Sequence, residues 1–432
     1  MQAGTLVTWV LTAKTMPNII WGSNPFRSAV LIPSAILALT AAAGAQDLMP
    51  ASGPGGAVRL FTSDAAILES QETRKDLPCT VTQIKATLGF DLKFHSGYDV
   101  TVPLKELAGT ENLLTIVFRV TPANHPDEPI YFSQHISVPA IEENAGGPAY
   151  LQGNFDVGEG KYHVDWLMRD RSERICSSNW DIEANLPSKD KQMALDIAPN
   201  IVQPFDTQPF KQEPPVERAQ HDGPLNVKVV INFAPQDSAS ATMQPLDLNA
   251  LISILRNIAR DPRITKFSIV AFNMQEQRVI YRQDAASQID FPALGKAFAS
   301  VNLGTVDLKK LTQKHGDSEF LGTLMTQELK DQKEQPDAVI FAGPKVMLED
   351  GIPPETLKQL ADVKSPVFYM NYNLNPQVNP WRDAIGNTVK YLKGVEYTIS
   401  RPRDLFFSWT DIIGRIVKSK FGRTSASNAS SQ

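Results

Sequence analysis

Ser318, in the stretch Gly316-Asp317-Ser318, is the residue of this sequence that comes closest to a catalytic nucleophile. A serine hydroxyl attacks a carbonyl group efficiently only when a neighbouring base accepts its proton, and histidine commonly serves as that base. The motifs Gly-x-Ser-x-Gly and His-Glu-x-x-His are absent, and so is a phosphate-binding glycine-rich loop. The sequence has six histidines without metal-ligand spacing, at positions 95, 125, 135, 163, 221 and 315.

The stretch from Gly316 to Gly322 resembles the Gly-Asp-Ser block of a family of secreted esterases. That resemblance implies that Ser318 is a nucleophile and that a later Asp-x-x-His supplies the acid and the base. No histidine of this chain has an aspartate three residues before it. The competing interpretation is that Ser318 caps the N-terminus of a helix over residues 319–330. A serine hydrolase is therefore kept as the alternative function.

A second set of polar residues follows segments that are predicted to be buried strands. In open α/β sheets, ligands bind at the loops beyond the carboxyl ends of the strands. These residues offer hydrogen bonds without a nucleophile–base pair, which favours a binding surface over a reaction centre. The predicted ligand-binding rim consists of Asn232, Gln236, Asp237, Ser238, Ser240, Asp317, Ser318, Asn371, Tyr372 and Asn373.

Composition excludes several classes of protein. Of the 432 residues, 42% are hydrophobic and 21% are charged, as in ordinary globular proteins. The net charge of −5 argues against a nucleic-acid-binding protein, which would carry a basic face. We therefore expect no nucleic-acid partner.

The N-terminal region has the pattern of an export signal. Residues 29–43 form an apolar run that follows Arg27 and ends at Ala43-Gly44-Ala45, a small-x-small cleavage pattern. A membrane anchor is the alternative, but it needs about 20 apolar residues, and Pro33 interrupts this shorter run. We predict a signal peptide over 1–45, no stable membrane span after cleavage, and a secreted or periplasmic protein.

The predicted location determines how the two cysteines, Cys79 and Cys176, are interpreted. In an oxidising compartment, a single pair most simply forms one disulfide. Two buried free thiols and an intermolecular bridge remain as alternatives, because spacing alone does not determine the geometry of a bridge.

The first half of the mature chain is predicted to be an all-β sandwich. Residues 46–57 are rich in Pro, Gly and Ala and are predicted to be flexible. Short alternating runs fill 58–186, among them 80–86, 99–104, 113–120, 130–138 and 161–168. Within the stretch from Phe155 to Val164, Gly160 and Tyr162 resemble the tyrosine corner of immunoglobulin-like domains, in which the phenol bonds to nearby backbone.

The second half is predicted to be a separate α/β domain. Residues 187–224 contain six prolines before 216 and are predicted to form an extended linker. From 225 to 422, strand-like runs alternate with helical runs, and the runs at 266–272 and 278–282 are close enough to form a hairpin. This alternation indicates a mostly parallel sheet with helices on both faces, and 423–432 is predicted to be a disordered tail.

In this order of elements, 225–422 resembles a von Willebrand factor A domain. The resemblance implies a doubly wound fold and a site for Mg²⁺ or Mn²⁺ formed by Asp-x-Ser-x-Ser, a threonine and a later aspartate. Asn232, Ala234 and Gln236 stand at the positions of the first motif, and the fourth strand ends in Gly343-Pro344 without a carboxylate. We therefore expect no metal and no cofactor.

These observations predict an exported, non-catalytic protein. Its expected partner is another extracytoplasmic protein, contacted through an immunoglobulin-like module and a metal-free von Willebrand factor A-like domain at the cell envelope. The alternatives are a secreted serine hydrolase that uses Ser318 and a purely structural envelope module.

Overall fold

The computed structural model describes residues 46–49, 60–218, 224–237, 240, 242–301, 315–330, 334–348, 351–374 and 383–429. The predicted signal peptide lies outside these residues.

The chain forms two compact units. The first comprises residues up to Thr87, Phe94–Asn185 and Ile197–Phe205, and the second comprises Leu88–Lys93, Leu186–Asp196 and the chain from Asp206 onward.

Within the described residues, the first unit is built from nine strands and one α-helix, α1 (Thr62–Ser70). The strands are β1 (Asp47–Leu48), β2 (Thr80–Leu88), β3 (Phe94–Pro103), β4 (Asn112–Pro122), β5 (Ile130–Val138), β6 (Pro148–Val157), β7 (Gly160–Arg169), β8 (Ile175–Ala184) and β9 (Val202–Pro204). They form a five-stranded sheet, β1-β5-β4-β7-β8, and a four-stranded sheet, β2-β3-β6-β9.

The two sheets pack face to face through aromatic side chains. Tyr98 on β3 contacts Phe118 on β4 and Trp166 on β7, with ring centroids 5.4 and 5.3 Å apart. Phe155 on β6 contacts Phe118 at 5.6 Å. All four side chains are buried. The predicted β-sandwich is therefore present, and each of the five predicted strand runs lies on one of its strands.

Two local predictions for this unit are confirmed. The Tyr162 hydroxyl donates a hydrogen bond to the carbonyl oxygen of Gly158 at 2.8 Å, and burial raises the pKa of Tyr162 to about 12. Cys79 and Cys176 form a disulfide with a Cα–Cα distance of 6.2 Å. The two alternatives, buried free thiols and an intermolecular bridge, are therefore excluded. A disulfide is typical of proteins in oxidising compartments.

Two segments that the sequence predicts to be irregular contain strands. In the predicted flexible segment 46–57, β1 pairs with β5, and the Gln46 side chain donates to the Tyr98 hydroxyl at 3.0 Å. In the predicted linker 187–224, β9 pairs with β6. A proline is tolerated in β9 because Pro204 lies at the end of an edge strand, where its missing N–H breaks no ladder.

Residues 206–218 of the predicted linker are also ordered. Phe210 is partly buried and packs against the core of the second unit, with its ring centroid 5.6 Å from that of Phe298. The Glu213 carboxylate pairs with Arg256 at 2.8 Å and with Arg260 at 2.6 Å. Residues 206–218 are thus held against the second unit by an apolar contact and by ion pairs, which composition does not reveal.

Within the described residues, the second unit contains a six-stranded sheet and six α-helices. Its strands are β10 (Leu225–Asn232), β11 (Ile264–Asn273), β12 (Arg278–Ala286), β13 (Ala338–Gly343), β14 (Val367–Tyr372) and β15 (Val395–Ile399). Its helices are α2 (Pro245–Arg260), α3 (Phe291–Phe298), α4 (Gly316–Leu329), α5 (Pro354–Leu360), α6 (Ala384–Tyr391) and α7 (Pro402–Ala429).

The sheet has the order β12-β11-β10-β13-β14-β15. All neighbouring strands are parallel except β11 and β12, which form the predicted antiparallel hairpin. Residues of β10 alternate between two apolar cores: Val229 and Ile231 pack with helices α2, α3 and α7, whereas Val230 packs with α4 and α6. Helices therefore cover both faces of the sheet, as the near-continuous apolar strand runs predict.

Two helix boundaries differ from those predicted. Helix α4 begins at Gly316, so Ser318 lies inside its first turn, and the predicted N-cap role of Ser318 is wrong. Helix α7 continues to Ala429, into the segment predicted to be disordered. Among the described residues, no helix is long and apolar enough to cross a membrane.

Candidate functional site

The candidate site lies at the carboxyl edge of the six-stranded sheet, where the strand order reverses. Strands β10 and β13 are neighbours, and the chain proceeds from them toward opposite edges. A crevice forms at such a point in doubly wound sheets, and ligands bind there. Asn232 ends β10 and Gly343 ends β13, so these two residues mark the reversal point.

The loop after β10 is tied to the end of β14 by three hydrogen bonds. The Gln236 side chain donates to Asn373 Oδ1 at 3.1 Å, and its Oε1 accepts from the Leu374 N–H at 2.7 Å. The Tyr372 hydroxyl donates to the Ala234 carbonyl oxygen at 2.9 Å. Because β13 lies between β10 and β14, these bonds hold together two loops that are not sheet neighbours. We refer to Ala234, Gln236, Tyr372, Asn373 and Leu374 as the bridge.

Several predicted rim residues are buried and do not form an open surface. Asn232 is 1% exposed, and its Oδ1 accepts from the Met274 N–H at 3.1 Å. Asn371 is fully buried and donates to Glu396 Oε1 at 2.9 Å. Tyr372 and Asn373 are buried within the bridge. The expectation of a continuous rim formed by all these side chains is therefore corrected.

The remaining predicted residues belong to separate groups. Asp317 is exposed and accepts a hydrogen bond from the Gln277 side chain, in the turn of the β11–β12 hairpin. Ser318 is 4% exposed and donates to the His315 carbonyl oxygen at 3.0 Å. Ser240 donates to the Thr242 carbonyl oxygen at 2.7 Å. Asp237 is exposed, and Ser238 lies outside the described residues.

The carboxyl edge offers few ligands for a metal ion. The Asn232 Oδ1 already accepts a backbone hydrogen bond, and its Nδ2 is a donor, which cannot coordinate a cation. Among the described residues, no three acidic or histidine side chains converge at this edge. The described side chains at this edge therefore do not supply the oxygen cage that Mg²⁺ or Mn²⁺ requires.

The sequence did not indicate a polar cluster that lies between the sheet and α6. The Glu396 carboxylate accepts from Asn371 and lies 3.7 Å from Lys345 Nζ and 3.6 Å from Lys390 Nζ. Asp383, which immediately precedes α6, is 7% exposed and accepts from the Val346 N–H at 3.2 Å. In the sequence, Asp383 is recognisable only as an acidic residue near the start of a helical run. Acidic residues are common at helix N-termini, so this position does not mark a functional group.

Burial raises the pKa of the Asp383 carboxyl from 3.8 to about 6, and the negative charge of Glu396 contributes to that rise. The N–H groups of Val346 and Gly386 and the charge of Lys345 lower this pKa and offset part of the effect. Asp383 therefore favours the protonated form in the folded state more than in the unfolded state.

The raised pKa of Asp383 gives a pH-dependent contribution to stability. The protonated carboxyl of Asp383 makes its full contribution to the free energy of unfolding below pH 3.8, the pKa of the unfolded chain. This contribution is lost as the pH rises through about 6, the pKa in the folded protein. We expect the Asp383→Asn variant, which stays neutral, to gain stability over the native protein between pH 4 and 7, by up to about 3 kcal/mol. Urea unfolding of both proteins across this range measures the difference, and parallel pH profiles would contradict the expectation.

Comparisons with known proteins identify no family. No protein-family model matches the chain, and no curated protein matches it. The PilB minor pilin from Streptococcus sanguinis is similar at 8% identity and a TM-score of 0.24, over 70% of this chain and 87% of that chain. The β-glucuronidase from Bacteroides uniformis is 10% identical, with a TM-score of 0.16, over 73% of this chain and 38% of that chain.

A glycosyl hydrolase family 2 member from Bacteroides cellulosilyticus is 8% identical, with a TM-score of 0.18, over 75% of this chain and 39% of that chain. The chain spans less than half the length of these two glycosidases. Likenesses at this level of identity and TM-score establish neither the function nor the fold of the chain.

Proposed function

We propose that this chain is an exported, non-catalytic protein that mediates protein–protein interaction or adhesion at the cell envelope. Its second unit acts as a metal-free domain of the von Willebrand factor A type, and its first unit as an immunoglobulin-like module. The order of strands and helices, with one antiparallel hairpin in a parallel sheet, supports the first assignment. The Tyr162–Gly158 hydrogen bond supports the second.

The bridge is the observation that carries this proposal. Gln236 uses both its amide nitrogen and its carbonyl oxygen to hold the loop after β10 against the end of β14. Two loops fixed in this way present a rigid surface at the edge where doubly wound sheets bind ligands. A pre-ordered surface loses less conformational entropy when a partner binds.

The Ser318 environment argues against the alternative of a serine hydrolase. Ser318 is buried, and its hydroxyl proton is donated to a backbone carbonyl oxygen, which is not a base. A nucleophilic serine needs its proton directed to a base. Loss of ester hydrolysis in the Ser318→Ala variant would return the hydrolase to first place.

The proposal is tested by binding of the purified protein to cell envelopes of the producing organism. We expect Gln236→Ala to reduce binding at least about tenfold, because it removes two of the three hydrogen bonds that join the loops. Gln335→Ala is the matched control, since Gln335 is exposed and precedes β13 at the opposite edge of the same sheet. Equal binding by the two variants would exclude the bridge from the binding surface.

The metal-free character of the site is tested separately. A ligand that binds only the native state raises the melting temperature. We expect thermal melts in EDTA, Mg²⁺, Mn²⁺ and Ca²⁺ to coincide. A clear shift with Mg²⁺ or Mn²⁺ would contradict the proposal and would make Asp237 and Ser318 candidate ligands.

A further inference from the structure

The loop after β13 is held against the start of α6 by two hydrogen bonds. The Val346 N–H donates to Asp383 Oδ1 at 3.2 Å, and the Ala384 N–H donates to the Val346 carbonyl oxygen at 2.9 Å. Val346 and Asp383 are 37 positions apart, so these bonds join two segments that are separate in the sequence. We refer to Val346, Asp383 and Ala384 as the latch.

The Asp383 carboxyl lies in the latch without enough donors for a charged group. Its side chain is more than nine-tenths buried, and its Oδ2 atom has no hydrogen-bond partner among the described residues. Asn371, which belongs to the same polar cluster, likewise has a buried Oδ1 atom without a partner there. A buried carboxylate with an unsatisfied oxygen is costly, whereas a protonated carboxyl brings a donor to a cluster that holds unsatisfied acceptors.

A second carboxylate approaches the same place. A Cβ atom added at Gly386, in the first turn of α6, would lie 3.0 Å from Asp383 Oδ2 and 3.1 Å from Glu396 Oε2. The two oxygen atoms are therefore within about 6 Å of each other, a distance at which two negative charges disfavour each other. The absence of a side chain at Gly386 leaves room for both carboxyl groups.

The described charged and titratable groups that face Asp383 come from three places in the second unit. Glu396 lies on β15, Lys345 in the loop after β13 and Tyr369 on β14. The ammonium groups of Lys345 and of Lys390 on α6 are 3.7 and 3.6 Å from the Glu396 carboxylate, so both are engaged by Glu396. Burial and the charge of Glu396 outweigh the charge of Lys345, which agrees with the raised pKa of Asp383.

We propose that the latch is a pH-sensitive device that is closed when Asp383 is protonated and opens more readily when Asp383 is ionised. In the closed latch, a neutral carboxyl lies beside Glu396 and the loop after β13 stays on α6. Water reaches an ionised Asp383 only when the loop and the helix separate, so ionisation lowers the free energy of separation. This loop carries Met347, which is 59% exposed, so opening alters the surface at the carboxyl edge of the sheet.

The size of the effect follows from two pKa values. The pKa of Asp383 is about 6 in the closed latch and 3.8 once the carboxyl is fully solvated. Because the closed state has the higher pKa, it binds the proton more tightly, so acid closes the latch and a rise in pH opens it. Linkage then increases the opening equilibrium about tenfold between pH 5 and pH 7.5.

Hydrogen exchange of the full chain tests the latch, because the Val346 and Ala384 N–H groups exchange only when it opens. Asp383→Asn keeps an oxygen that can accept from the Val346 N–H and carries no charge at either pH. Comparing the two proteins at the same pH cancels the chemical pH dependence of exchange. We expect the exchange rate of the native protein relative to Asp383→Asn to rise about tenfold from pH 5 to pH 7.5 at both N–H groups.

Asp362→Asn is the matched control, since Asp362 is exposed and precedes β14 at the amino edge of the sheet. This variant should exchange like the native protein. A native-to-Asp383→Asn ratio that is equal at both pH values would overturn the proposal. So would exchange of the latch N–H groups as slow as that of β10, because they would then be exposed only by global unfolding. Neither result depends on envelope binding, so this test is separate from that of the proposed function.

Discussion

Replacement of Cys79 and Cys176 by serine is expected to lower the free energy of unfolding of the first unit by about 4–5 kcal/mol. The disulfide joins positions 97 residues apart. A cross-link of that span removes a large share of the conformational freedom of the unfolded chain. Cys176 is fully buried on β8, so a serine hydroxyl there also needs a hydrogen-bond partner that the sulfur atom does not.

Urea unfolding followed by tryptophan fluorescence measures this effect, because Trp166 and Trp180 lie in the first unit. The native protein with and without reductant supplies the control: reductant should shift the transition of the native protein and leave that of the serine variant in place. The second unit carries neither cysteine, so its transition should not move. Coincident curves for the native and variant proteins would show that the bond contributes little.

The second large effect is expected from Gly343→Ala, at the end of β13. Gly343 has a φ of +144°, which side-chain-bearing residues rarely adopt. An added Cβ would lie 2.8 Å from the Asn232 Cβ and 3.0 Å from the Asn232 carbonyl oxygen. Backbone strain and overpacking each cost about 1–3 kcal/mol, so we expect a loss of about 4 kcal/mol from the second unit.

Gly351→Ala is the matched control for this substitution. An added Cβ at Gly351 would meet no atom within 4 Å, and its φ lies outside the strained range. Thermal melts of the two variants separate the local clash from a general effect of removing a glycine. Because the clash is with Asn232, Gly343→Ala should also weaken envelope binding, and a variant as stable as the control would contradict the close approach of β10 and β13.

Periodic and alternating patterns in the sequence were sufficient to place most elements. The apolar run of β10, the helical spacing in α2 and the β11–β12 hairpin depend on neighbouring residues, and the structure contains each of them. The strands β1, β6, β8 and β9 were not predicted. Strand β6 contains Gly153, and β9 lies in a proline-rich segment, so their pairing depends on β3 and β6 across the chain.

At the candidate site, the hydrogen-bond partners of the polar side chains could not be predicted from the sequence. Asn371 and Asn373 are equivalent as sequence features, yet Asn371 points to Glu396 while Asn373 joins Gln236 in the bridge. Residues two apart in a strand face the same side of a sheet, but β14 ends at Tyr372, so the strand does not determine the direction of the Asn373 side chain. Those partners are 25 and 137 residues away.

The sequence by itself determined the features that depend on local chemistry: two units of different class, the strands and helices with strong periodicity, the Tyr162 turn and the presence of one cysteine pair. The tertiary structure decided which polar groups are buried and which carboxyl has a raised pKa, as at Asp383. It also decided that, in the part of the chain that the structure describes, β2 lies at the end of its sheet. The reason is physical: burial, desolvation and hydrogen-bond partners are set by residues that are distant in the chain, whereas periodicity and turn chemistry are set by adjacent ones.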